Sequence, residues 1–189
     1  GRMLGFNGHL YISVADLGPA ERGRIVQRVK VLPAVQQVAP IIEDQAMALG
    51  RTQVTGAMVR GLSPSDLRDS RLVADNITQG SLKTFGQGEY GGDEIVVGQR
   101  LAELLGVHPG DPLTLISPSG GATAFGSTPQ RKTYTVAATF TIGMSQYDQA
   151  FIFMPLEQAQ LFFGKDGLVD TIEVKVDDPD HAIAMKPAV

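Results

Sequence analysis

Three histidines, His9, His108 and His181, are the side chains best suited to hold a metal or move a proton, and they fall in a strand, a turn and a helix start. A zinc site needs three or four ligands converging at 2.0–2.3 Å or so. None of these histidines has a second histidine or a carboxylate at ligand spacing, so packing or surface roles are the expectation. Asp177, Asp178 and Asp180 form an acidic cluster, yet Asp178-Pro179-Asp180 reads as helix-start chemistry, not a calcium loop. Ser117, Ser119 and Ser127 lack the strand–turn–helix context of a nucleophile elbow. Gly86-Gln-Gly88-Glu-Tyr-Gly91 matches the dinucleotide fingerprint by letters. That fingerprint needs a strand before it and a helix after it, and here a strand pattern follows. No Gly-Lys-Ser or Gly-Lys-Thr closes a phosphate loop. The sequence therefore predicts no catalytic residue, no metal site and no cofactor.

Bulk properties narrow the class further. The chain has 189 residues, 43% of them apolar, 19% charged and 6% aromatic, with 22 glycines and 11 prolines. A chain of this size buries roughly 70% of its unfolded surface, enough for a substantial core. Its composition suits a turn-rich globular protein better than a helical bundle. The net charge of −4, with basic residues scattered apart from a loose set at Arg22, Arg24, Arg28 and Lys30, argues against a nucleic-acid partner. Cysteine is absent, which removes disulfides, thiolate metal sites and thiol nucleophiles together. The longest apolar run, Phe151 to Leu156, falls far short of the about 20 residues that span a bilayer. No signal peptide is read in the opening Gly1-Arg2-Met3-Leu4-Gly5.

The elements follow from periodicity and punctuation. His9 to Val14 alternates as a strand, Pro19 opens a helix to about Val31, and Pro33 stops it. Val35 to Leu49 and Thr52 to Leu62 read as strands. Ser63-Pro64-Ser65-Asp66 starts a helix. Asp75 to Gly92 turns polar and glycine-rich and reads as a lobe junction or mobile loop, with 86–92 a preferred site of proteolysis. Glu94 to Gly98 is a strand and Gln99 to Leu105 a helix, closed by Gly106. Strands Leu113 to Ser117 and Lys132 to Phe140 flank the excursion from Pro118 to Pro129, forming a long hairpin with a protruding tip. Gln149 to Met154 is a strand, Pro155 opens a helix through Phe163, Asp170 to Val176 alternates, and Asp178-Pro179-Asp180 begins a last helix. The architecture is α+β, with a small β-rich lobe inserted between two βαβ-like halves.

Order and spacing along this pattern carry a resemblance. Asn7-Gly8-His9-Leu10-Tyr11-Ile12, Val97-Gly98 through Leu101-Ala102, Leu105-Gly106-Val107, Gly110-Asp111 and Leu113-Thr114-Leu115 are similar to the periplasmic loop of LolC/LolE-type permeases. Ile116-Ser117-Pro118 through Phe125-Gly126, Pro129 and Arg131, then Thr133 to Phe140, resemble the hairpin called the hook in LolC-like subunits. Gly143-Met144, Tyr147-Asp148, Phe153-Met154-Pro155-Leu156 and Ala159-Gln160 continue the match, which covers most of residues 5 to 163.

This resemblance implies a domain on the periplasmic face of the inner membrane, in a permease that pairs with a second permease subunit and a separate ATPase subunit. It implies a binding and coupling module, not an enzyme, that serves transfer of an outer-membrane lipoprotein to the soluble LolA-type chaperone. It also implies a split Porter-like βαββ lobe, residues 1–61 and 166–189, interrupted by a Sabre-like lobe, 62–165, that carries the hook at 118–131. Pro118, Phe125, Gly126, Pro129, Gln130 and Arg131 are then the expected chaperone-binding residues, and the Phe125-Gly126 and Pro129-x-Arg131 elements favour the LolC-like type. MacB-type efflux and FtsX-type signalling permeases share the lobes and are the alternative. A small-ligand or glycan-binding β domain, or a hydrolase, is the alternative from another class.

Overall fold

Alternating apolar residues and well-placed prolines turn into an α+β structure in the computed structural model, which describes residues 9–118, 122–123, 126–127, 129–165 and 167–177. By packing, the described residues divide into two units, 9–41 with 167–177 and 42–165. The stretch 42–61 packs with the second unit.

In the first unit, strand β1 (His9–Ser13) is followed by helix α1 (Pro19–Lys30) and then by β2 (Val35–Leu49), whose first half belongs here. Pro19 sits in the first turn of α1, where its missing N–H costs nothing. The unit closes with β11 (Thr171–Val176), which lies between β1 and β2 and is antiparallel to both. Leu10, Val38, Ile172 and Val174 are buried on this small sheet. His9 is buried, with Nδ1 3.3 Å from the Glu173 carboxylate, and the Tyr11 hydroxyl donates to the same group at 2.9 Å. The histidine is thus part of a structural polar cluster.

The second unit is built around a closed ring of strands. The second half of β2 pairs with β3 (Val54–Leu62), β3 with β10 (Phe151–Pro155), and β10 with β5 (Glu94–Gly98). Next, β5 pairs with β9 (Gln130–Phe140), and β6 (Pro112–Ser117) bonds to both β9 and β2, completing the circuit. Each strand of the ring is thus paired on both sides over part of its length. Strands β5 and β10 are buried on both faces, as their unbroken apolar sequences require. Helix α4 (Gln99–Leu105) presents buried Leu101, Ala102 and Leu105 and ends at Gly106, whose φ of 72° is the left-handed cap expected from sequence. Helix α6 (Leu156–Phe162) packs beside β3, where Gly61 is held so close to the Ala159 methyl that a Cβ would collide with it.

The segment 75–92 differs from its sequence reading. After two short helices, α2 (Pro64–Asp69) and α3 (Arg71–Ala74), the chain forms strand β4 (Ile77–Gly80) on β9. Phe85 is completely buried. Arg68 donates to the carbonyl oxygens of Leu82 and Phe85. Gly86, at φ 94°, lies against the Pro64 ring, and the stretch ends in a 3-10 turn at Glu89–Gly91. One large aromatic anchors a polar, glycine-rich sequence, and the glycines supply the left-handed turns that bring it home. Periodicity cannot register a single anchor. Helix α5 (Ser145–Asp148) also escaped the sequence reading: its buried Asp148 carboxylate accepts the backbone N–H groups of Ile142 at 2.8 Å and Gly143 at 3.0 Å.

Candidate functional site

The hairpin expected from sequence is formed by β6 and β9, antiparallel from Pro112↔Thr135 to Ser117↔Gln130. Thr114 and Thr133 hydroxyls bond across the ladder at 2.7 Å. Beyond Ser117 the connection holds a further pair of two-residue strands, β7 (Ala122–Thr123) and β8 (Gly126–Ser127), with Thr123 opposite Gly126. Pro118, Pro129, Gln130 and Arg131 are exposed at the end of the β6–β9 ladder, where the register brings Pro118 and Gln130 to neighbouring positions. Phe125 lies outside the described residues. The described part of the predicted site therefore sits at one end of the β6–β9 ladder, with Gly126 in the added strand pair.

Pro118 also borders a shallow cavity of ≈ 300 Å³ on the second unit, shared with Gln45, Met47, Gly56, Met58 and Ala150. Its lining is largely apolar, and Met47 is 40% exposed. Ser117, immediately before Pro118, is fully buried, and its hydroxyl has no hydrogen-bond partner among the described residues. It sits in strand β6.

On the other side of the hairpin base lies a polar cavity of ≈ 450 Å³, bordered by Glu89, Tyr90, Asp93, Lys132, Gln158 and Leu161. The Lys132 ammonium donates to Gln158 Oε1 at 2.7 Å and lies 3.0 Å from Asp93 Oδ1. Tyr90 adopts φ 52°, a left-handed conformation uncommon for a residue with a Cβ, and its ring is 58% exposed. Beneath them Tyr134 is buried, with its ring edge-on to Phe162 at 5.9 Å. Burial, with the nearby Asp93 charge, pushes its phenol well above the usual tyrosine range. Sequence reasoning missed Lys132, Asp93 and Gln158. They are separated in the chain, and no local pattern announces that they meet.

Other candidate groups stay apart. His108 lies 3.7 Å from Asp111, which also accepts the His108 backbone N–H at 2.8 Å, so the pair closes a turn. Among the described residues, no group of three or more His, Cys, Asp or Glu side chains is placed to hold a metal ion. The Gly86–Gly91 segment leads into β5, not into a helix, as the sequence indicated. No helix of the described residues is long and apolar enough to cross a membrane.

The α+β core with its large sheet agrees in fold with known periplasmic and extracellular transporter domains. The MacB-like periplasmic core domain family matches residues 7–189, and the chain belongs to that family. Within it, the chain is similar to the lipoprotein-releasing system transmembrane protein LolC of Neisseria meningitidis serogroup B, at 25% identity over 185 residues. It is also similar to LolC of Xylella fastidiosa strain Temecula1, at 29% identity over 181 residues. These alignments cover 98% and 96% of the chain but only 44% and 43% of the relatives, so the chain spans less than half the length of either. In fold, the periplasmic region of MacB from Actinobacillus actinomycetemcomitans superposes with a TM-score of 0.61, covering 97% of this chain and 81% of that one at 12% identity. The extracellular domain of the noncanonic ABC-type transporter YknZ gives a TM-score of 0.56, covering 91% and 78% at 15% identity.

Proposed function

We propose that this chain is the periplasmic domain of a permease subunit in a lipoprotein-releasing ABC transporter, and that the 118–131 connection docks a LolA-type chaperone. The carrying observation is the similarity to LolC proteins over nearly the whole chain. The exposed cluster of Pro118, Pro129, Gln130 and Arg131 at the ladder's end supports it. In this reading residues 1–61 with 166–189 form the Porter-like lobe and 62–165 the Sabre-like lobe, and 42–61 is the part of the first lobe that packs with the second unit. Prolines on both sides of the connection lower the ordering cost of binding, and Phe125 supplies the one large apolar side chain for a chaperone groove. ATP hydrolysis belongs to a separate subunit, and the domain couples release of the lipoprotein from the inner membrane to its transfer.

Calorimetric titration of purified LolA into this domain tests the reading. Binding that is lost on deleting residues 120–128, with the circular dichroism spectrum retained, supports docking at the connection. Equal affinity in the deletion rules that site out. The similarity in fold to MacB favours a second reading, an efflux-type periplasmic domain, and complete absence of LolA binding by the intact domain points that way.

A further inference from the structure

We propose that Lys132 is a positioning residue that clamps the returning strand of the hairpin to helix α6 and the 89–93 turn, and so sets the direction in which the 118–131 connection leaves the domain. The proposal rests on the docking reading for its functional consequence, but the clamp itself stands on geometry.

Strand β9 is asymmetrically supported. Its residues 135–140 pair with β5 on one edge, beginning at Glu94↔Thr135. Residues 130–135 pair with β6, on the other edge. The stretch 130–134 therefore extends past the end of β5, held on one side only by its hairpin partner. Strand β6 is itself paired to β2 at residues 114–116, so within this three-stranded stretch β9 is the edge, and an edge strand opens locally more readily than one paired on both sides. Lys132 lies in the middle of that stretch.

From there its ammonium reaches Gln158 Oε1 at 2.7 Å and Asp93 Oδ1 at 3.0 Å. Gln158 is 2% exposed, and its Nε2 donates onward to the Glu89 carbonyl at 3.3 Å. Asp93 is tied to the same strand through its carbonyl, which accepts the Thr135 N–H at 2.9 Å. The ammonium also lies over the Tyr134 ring, with Nζ 5.3 Å from its centroid. One side chain thus joins three separate segments at the pivot, and a buried amide fixes where the charge must sit. Movement of α6 or of the turn is transmitted to the hairpin base through this contact.

Hydrogen–deuterium exchange and LolA calorimetry on the 189-residue chain test it, with Lys132→Met, Lys132→Arg and Asp93→Asn compared with the unaltered protein. Lys132→Met should speed exchange of amides 130–134 by about five- to tenfold, with β5 and β10 amides unchanged. LolA affinity should fall by about three- to tenfold, Asp93→Asn should show part of both effects, and Lys132→Arg should restore both to within about twofold. Unchanged exchange at 130–134 in Lys132→Met, or failure of Lys132→Arg to restore it, overturns the clamp. Faster exchange with undiminished affinity overturns its role in docking. If the unaltered domain does not bind LolA, the docking reading itself falls, and the exchange measurements still decide the clamp.

Discussion

Phe85→Ala separates an ordered 75–92 segment from a mobile one. Phe85 has no solvent exposure and is the one large apolar side chain between Leu82 and Tyr90. Truncating a buried phenylalanine removes its transfer free energy and leaves a cavity, together about 3–5 kcal/mol. Full burial places this site in the upper half of that range, near 4 kcal/mol, because the Pro64 ring and the Arg68 contacts limit collapse of the loop around the hole. For a chain of this length that corresponds to a fall in Tm of about 8–16 °C. Urea denaturation gives the free energy, and limited trypsin digestion reads the local effect at Lys83. The unaltered protein should resist cleavage there, whereas the variant should be cut first between residues 81 and 93. A loss below about 1.5 kcal/mol, or equal cleavage of both proteins, would refute the argument that this one ring anchors the segment.

Three further outcomes follow from the same structure. Asp148→Ala should cost about 2–3 kcal/mol by urea denaturation, since it strips a charged acceptor from the Ile142 and Gly143 amides, and Asp148→Asn should recover about half. Tyr134→Phe should leave stability at neutral pH unchanged or raise it by up to about 1 kcal/mol, because the hydroxyl has no partner among the described residues. Its raised phenol pKa means the folded state keeps a proton that the unfolded state loses, so stability of the unaltered protein falls as pH rises above 10.0, and Tyr134→Phe should flatten that fall in alkaline melts. Phe125→Ala should weaken LolA binding by about ten- to a hundredfold, the equivalent of about 1.5–3 kcal/mol of buried ring, whereas Arg131→Ala should cost at most about 1 kcal/mol; calorimetry measures both.

Local rules account for most elements. Pro19 and Pro64 stand in first turns, Gly106 caps α4 in the left-handed region, and β6 and β11 alternate as their sequences do. These features depend on backbone sterics and on period, which neighbouring residues determine among themselves. The order and spacing of the same residues also carried the resemblance that the family match supports. Tertiary structure alone decided the rest. Closure of the ring through β6, bonded to β9 on one edge and β2 on the other, is a pairing between distant segments that alternation permits but does not select. Phe85 stands alone among polar residues and glycines in the sequence, and only the packing of the domain supplies the space that buries it. Lys132, Asp93 and Gln158 read as ordinary polar residues of a strand, a turn and a helix, and they become one contact because strand pairing brings their backbones together. Short-range preference is written in each segment, whereas which charge meets which amide depends on chain geometry summed over the whole fold.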